Sequence, residues 1–198
     1  MKVLIGCEFS GVGRRAFRAV GCDAWSCDLL PAEDGSPYHI QGDVLGVLDQ
    51  GWDLMIGHPP CTFLSNSGVS HLYKPGTRWK DLIAGAVFFR QLLNAPIDHV
   101  CIENPVMHKY AASIIGRRQD QTIQPYDHGH PESKRTALWL RGLPLLKPSQ
   151  DVKADYLKAP ANIGQRLHYL PPSPDRWKIR STTFSGIAKA MADQWGQL

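Results

Sequence analysis

The chain has no apolar run approaching the ~18 residues that cross a bilayer, so no membrane-spanning helix is expected. Its five cysteines, Cys7, Cys22, Cys27, Cys61 and Cys101, are odd in number and form no CxxC pair. No histidine pair stands beside them at zinc-finger spacing, so no metal site is expected. The N-terminus, MKVLIGCEFS, turns acidic and glycine-rich after a short apolar run, and reads as a first strand rather than an export signal. Free thiols in a reducing, cytoplasmic setting are the matching expectation. Strong charge is missing too: 22 Lys+Arg against 18 Asp+Glu leave a net +4, which permits a polyanionic partner without demanding one. There is no internal repeat and no low-complexity segment. What remains is 198 residues, 43% hydrophobic and 20% charged, the composition and size of one globular domain.

Strand-like and helix-like runs alternate through the first 105 residues. Lys2–Cys7 is an apolar strand ending in a glycine-rich turn, and Gly11–Val20 reads as the helix after it. Asp23–Asp28 is a second strand ending in an acid, Val44–Leu48 a helical turn, Asp53–Gly57 a buried strand. Trp79–Leu93 carries apolar residues at helical spacing, and His99–Ile102 is another strand. This alternation predicts an α/β fold, a doubly wound and mostly parallel sheet covered on both faces. Beyond Pro105 the pattern loosens to one strand, Thr136–Leu140, and a closing helix, Phe184–Trp195. Between them residues 143–180 are proline-rich and aperiodic, and read as loop or a small irregular subdomain. His128 and His130 read as parts of an exposed polar loop.

Five clusters fall at or beside predicted strand ends, the edge where open α/β sheets bind ligands. Phe9-Ser10-Gly11-Val12-Gly13 follows the first strand. Its glycines allow a sharp turn and close backbone approach to a ligand, although an empty βα turn would read the same. Asp28 ends the second strand, well placed for ribose hydroxyls. Asp43 precedes a helical turn, where it would accept from an exocyclic amine or cap the turn. After the third, Gly57-His58-Pro59-Pro60-Cys61 presents a cysteine on a proline-stiffened loop, as a nucleophile is presented. Glu103-Asn104-Pro105 ends the next strand. Glu103 would act there as a proton donor if an apolar site raised its carboxyl pKa, or would cap a helix starting near Met107.

The order FSGVG, strand-end acid, GD, PPC and ENP resembles that of the DNA cytosine-5 methyltransferases, and CTFLSNSG is similar to the family's PCQ-x-F-S-x-S-G loop. The resemblance covers roughly the first 140 residues. It implies the S-adenosylmethionine-dependent methyltransferase variant of the doubly wound sheet, with S-adenosylmethionine as cofactor and cytosine as the target base. Cys61 would attack C6 of the base and Glu103 would hold N3, so that C5 becomes an enamine carbon able to take a methyl group. Phe9, Gly11, Val12 and Gly13 would line the cofactor, Asp28 would bind its ribose, Asp43 its adenine amine, and Pro60 would lie between cofactor and base. Ser65 and Asn104 would stand on the substrate side, Asn104 also orienting the Pro59–Cys61 loop.

The departures from the family pattern are equally specific. Where the family carries QxRxR, this chain has Glu132-Ser133-Lys134-Arg135-Thr136. Lys134 replaces the first arginine and lacks its bidentate fork; Arg135 would serve the substrate only with a shifted register. The family's target-recognition domain, ~100 residues or more, does not fit in the span from Lys134 to Ser185. A compact, phage-like member is implied, 1–198 as one domain with 143–180 in place of the recognition domain. Three readings stay open: duplex DNA with Arg176, Lys178 and Arg180 on phosphates, single-stranded DNA or a free cytosine nucleotide, for which base flipping costs little, and a non-catalytic binding relative. Trp177, among those basic residues, is a candidate for stacking on a base.

Overall fold

A computed structural model describes every residue except Pro75 and Thr77. Seven strands form one sheet: β1 Lys2–Gly6, β2 Asp23–Asp28, β3 His39–Gln41, β4 Leu54–Gly57, β5 His99–Pro105, β6 Gln121–Ile123 and β7 Thr136–Arg141, in the order β3-β2-β1-β4-β5-β7-β6. β1 to β5 pair in parallel, and β7 runs antiparallel between β5 and β6. The expected doubly wound sheet is therefore the one found.

Strand alternation explains the layers. Val3, Ile5, Leu54, Ile56, Leu138 and Leu140 point to one face, under α1 (Val12–Ala19) and α8 (Ser185–Trp195). Leu4, Met55, Val100, Ile102 and Trp139 point to the other, under α2 (Arg78–Leu93) and α3 (Lys109–Ile115). On that side Phe89 meets Trp139 edge to face at 5.0 Å. Both histidines expected in an exposed loop are structural instead. His128 is buried, and His130 Nε2 accepts the Gly186 N–H at 2.9 Å, capping α8. The reason is proximity: a Cβ on Gly186 would sit 1.8 Å from the His128 carbonyl oxygen, so the loop and the helix start lie against each other.

Other boundaries shift by one to three residues, the largest where β5 runs on to Pro105, and the differences have physical causes. β1 stops at Gly6 because Cys7 takes a left-handed conformation, φ 58°. β3 and β6 are three residues each, too short to show a period of two. Residues 143–180 are not plain loop. They hold α4 Lys153–Lys158, α5 Ala161–Gly164, α6 Arg166–Tyr169 and α7 Arg176–Ser181. α4 and α7 bury no residue, which is why no apolar stripe announces them.

The strand order reverses between β1 and β4, which pair directly with Gly6 opposite Gly57. α1 leaves β1 over one face and α2 follows β4 over the other. A crevice opens between the two outgoing loops, Cys7–Gly11 and His58–Cys61.

Candidate active site

The loop leaving β1 is built around a residue the sequence analysis did not single out. Glu8 is buried, and its carboxylate accepts the Gly13 N–H at 2.6 Å and the Arg14 N–H at 3.3 Å. These are free donors of the first turn of α1, so Glu8 does the capping that Gly11, the residue at the cap position, has no side chain to do. Gly11 sits at φ 70°, and a Cβ there would lie 2.4 Å from Arg14 Nη2. Arg14 is itself buried, donating to Ser26 Oγ and to Asp34 at 2.7 Å each. Burial would raise the Asp34 carboxyl, but the hydrogen bonds from Arg14 and Arg15 outweigh it and hold it at about 2. With the Glu33 N–H on the Phe9 carbonyl, this pins the segment after β2 over the glycine-rich turn.

Asp28 and Asp43 stand at the neighbouring strand ends. Asp28 accepts the Leu30 N–H at 2.9 Å, and Asp43 accepts the Leu45 N–H at 3.0 Å, capping the turn at Val44–Val47. Burial first, then the charges of these two acids, push the Cys7 thiol up to about 12. Cys7 also walls a small cavity of about 40 Å3, with Glu8, Phe9, Ser10, His58, Ser181, Thr182 and Thr183.

On the β4 side, the His58 N–H bonds the Gly6 carbonyl, so the chain stays extended past the strand before the two prolines. Asn104 Nδ2 donates to the Pro59 carbonyl at 2.9 Å from a fully buried position. Leu64 and Ser65 N–H groups both close on the Cys61 carbonyl at 3.0 Å. Ser65 is buried with its hydroxyl on Ser67 Oγ at 2.9 Å. Pro60 is exposed and Cys61 half-buried at the crest of the turn.

Glu103 comes from β5, one strand over, opposite Leu138 in the ladder. It is not a helix cap: α3 is capped by His108, whose Nδ1 accepts the Ala111 N–H at 3.1 Å. Glu103 Oε2 lies 2.8 Å from His58 Nδ1, both side chains nearly buried. The expectation of a raised carboxyl pKa is corrected here. Burial does push it up, but the Lys134 charge and the His58 hydrogen bond win, and the group sits at about 2. A buried carboxylate with a cation on one side and an imidazole on the other rests ionised.

Lys134 leads into β7, and its charge reaches Glu103, His58 and Cys61. Arg135 is exposed beside half-buried Lys134, so the unshifted register gives the site the lysine and sends the arginine to solvent. Burial raises the Cys61 thiol, Glu103 adds to this, and Lys134 and Arg180 pull against both. Arg180 arrives from α7. Trp177 of that helix packs on Phe9 with ring centroids 5.8 Å apart, on the glycine-turn side rather than over Cys61. Lys178 lies 3.9 Å from Asp175, and Arg176 is half-buried with no hydrogen-bond partner for its Nε among the described residues. The structure therefore brings Cys61, Glu103, Lys134, His58 and Arg180 into one electrostatic neighbourhood. Asp28 and Asp43 lie at the far end, and Arg135 lies outside.

Among the described residues no cluster of three or more candidate ligands could hold a metal ion, and no helix is long and apolar enough to cross a membrane. No protein-family model matches the chain, and no curated protein sequence does. Solved structures do. The methyltransferase EhMeth of Entamoeba histolytica superposes with a TM-score of 0.52 at 17% identity, over 76% of this chain and 57% of that one. A protein described as a DNA modification methyltransferase, encoded within an Escherichia coli prophage, gives 0.48 at 18%, over 76% and 51%. The Dnmt2 methyltransferase of Schizosaccharomyces pombe gives 0.46 at 13%, over 100% and 66%. This chain thus spans about half the length of EhMeth and the prophage enzyme. At such identities the likeness to EhMeth is one of fold alone.

Proposed function

We propose that this chain transfers a methyl group from S-adenosylmethionine to C5 of cytosine in DNA, through a covalent bond between Cys61 and C6. One observation carries the reading: a cysteine on a proline-stiffened loop, a buried carboxylate from the next strand and a lysine from the strand beyond meet at the crevice where the strand order reverses. The motif order resembling cytosine-5 methyltransferases supports it.

The residues along this edge suit the cofactor, of which the small cavity of about 40 Å3 would take only a part. Cys7 joins the cavity's hydroxyl-rich end, Ser10 and Ser181 to Thr183, to the acid pair Asp28 and Asp43. An elongated, cationic nucleoside needs that sequence of donors and acids. Phe9, Gly11, Val12 and Gly13 would hold its amino-acid end, Asp28 the ribose, Asp43 the adenine amine, and Pro60 would face the base. When bound, S-adenosylmethionine supplies an electrophilic methyl group at C5.

The chain's own residues do the rest. Cys61 attacks as a thiolate, which the Lys134 and Arg180 charges favour. Its sulfur forms a bond to C6, the C5=C6 electron pair shifts to C4–C5, the C4=N3 pair moves onto N3, and N3 takes a proton. C5 is then nucleophilic. After methylation the C5 proton leaves, the S–C6 bond breaks, N3 returns its proton, and Cys61 is free. Arg176, Lys178 and Arg180 would contact DNA phosphates.

Oligonucleotides carrying 5-fluorocytosine test this, because fluorine at C5 blocks the elimination. With S-adenosylmethionine present, an adduct surviving denaturation should form with duplex DNA, single-stranded DNA or both, and the comparison identifies the substrate. Cys61→Ser should abolish it, and Glu103→Gln should slow it ~10²-fold. Labelling of dCMP alone would move the substrate to the nucleotide. Adduct formation at the wild-type rate by Cys61→Ser would refute the mechanism.

A further inference from the structure

The resting state of Glu103 creates a problem that its neighbour resolves. Cysteine addition at C6 requires a proton at N3, yet Glu103 rests as a carboxylate at about 2 and has none to give. Four groups bear on the nearby His58 ring. Glu8 faces it from the β1 turn, Glu103 from β5, Lys134 from the entry to β7, and the Cys7 thiol shares its cavity wall. Of these only Glu103 is hydrogen-bonded to the ring, through Nδ1 at 2.8 Å. Against a carboxylate the ring nitrogen must be the donor. The bond engages Oε2, and no hydrogen bond to Oε1 occurs among the described residues.

We infer that His58 is the proton store behind Glu103: its ring orients the carboxylate through Oε2, and the pair delivers one proton to cytosine N3 while Cys61 adds at C6. This role rests on the cytosine reading of the site and names a residue that reading did not include. The starting state is an imidazolium beside a carboxylate. As the sulfur lone pair bonds C6, the imidazolium proton passes to the carboxylate and from it to N3. His58 is left neutral and Glu103 ionised. When Cys61 departs, N3 gives the proton back along the same path, so the cycle consumes none. Histidine suits the store because its ordinary pKa is near neutrality. Burial disfavours its charged form, but the Glu103 bond, the Glu103 charge and the Glu8 charge together raise it, while Lys134 opposes. His58 touches no substrate atom in this scheme. It is a positioning residue that acts through Glu103.

The position is legible as chemistry. A side chain directly before Pro59-Pro60 is stiffened on its C-terminal side, and the His58 backbone is tied to Gly6 at 2.9 Å. The ring is therefore set between two rigid strand ends, where a small shift would break its bond to Glu103.

Two measurements test the role. In the free protein, labelled with 13C-histidine, the His58 ring should titrate above the ordinary value near 6.5, and Glu103→Gln should bring its midpoint down. A midpoint that ignores Glu103→Gln overturns the proposal whether or not the protein reacts with DNA. The second is the rate of adduct formation on 5-fluorocytosine DNA as a function of pH. Wild-type rates should fall on the alkaline side as His58 loses its proton. His58→Gln keeps a neutral donor to Glu103 but cannot store the proton. It should keep wild-type DNA affinity, melt lower because Glu103 loses its charged partner, lose the alkaline limb and slow adduct formation ~10²-fold. His58→Ala, which loses orientation as well, should be slower still. A His58→Gln rate within threefold of wild type with an unchanged pH profile refutes the inference while leaving the cytosine reading standing. No adduct with the wild-type protein on any cytosine substrate defeats that reading and the His58 role with it.

Discussion

Lys134 is the residue on which the charge state of the site turns. Its ammonium opposes the burial of two groups at once, holding Glu103 ionised and easing the Cys61 thiol toward thiolate. An arginine would offer a fork for two hydrogen bonds; a lysine offers a compact point charge. Lys134→Met removes the charge and keeps the stem. The Cys61 thiol should then move further up, and alkylation of Cys61 by iodoacetamide at pH 7.5 should slow several-fold, since the thiolate is the reactive form. Peptide mapping of the labelled site measures this with no substrate present. An unchanged rate would show that the lysine charge does not reach the sulfur. At this scale the sequence was readable where a motif named the residue, as with Cys61, Glu103 and Lys134. It was silent on Glu8 and His58, because a helix cap contacting residues five and six positions on, and an ion pair across 45 positions, leave no local period. An acid just ahead of a glycine-started helix was the one available signal for Glu8.

Among elements, the β1–α1 turn shows how a glycine-rich loop is held in a strained shape. Gly11 supplies the left-handed conformation, Cys7 adopts another, and Glu8 and Arg14 brace them from beneath. Arg14 is fully buried and bridges β2, through Ser26, to the segment after it, through Asp34. Removing Arg14 empties a buried volume and strips Ser26 of its donor, while Asp34 keeps Arg15, and costs about 3 kcal/mol. Arg14→Ala should therefore lower the melting temperature by roughly 6–12 °C. It should also weaken the stabilisation by S-adenosylhomocysteine, since the segment that Arg14 pins lies over Phe9. Differential scanning calorimetry with and without the ligand separates the two effects. A variant that melts lower yet gains as much from the ligand would show that the clamp serves stability alone. The five longer strands and the long helices here were readable because each buries an apolar run or a helical apolar stripe, whereas β3 and β6, three residues each, were not. The short helices α4 and α7 were not, because they bury no residue.

At the scale of the molecule, the same charges that prepare the site set how stability follows pH. Glu103 and Asp34 are both held at about 2, below their ordinary range. A depressed carboxylate stabilises the fold fully above its unfolded value, near 4, and that contribution is lost as pH falls toward 2. His58 is shifted the other way, upward. Its contribution is complete below the unfolded value near 6.5 and fades as pH rises through the folded one. The buried pair joining the β4 loop to β5 is thus strongest between about 4.5 and 6.5, where both partners carry charge in either state. Melting temperature should peak in that window, falling steeply below pH 4 and gently above neutrality. Asp34→Asn should soften only the acid side. Glu103→Gln should soften both, because it removes the carboxylate and leaves His58 only the Glu8 charge to offset its burial. Circular dichroism melts from pH 3 to pH 9 on the three proteins decide it. An alkaline slope unchanged by Glu103→Gln would mean that His58 draws its charge from Glu8 rather than from Glu103, and would detach the pH response of the fold from the chemistry of the site.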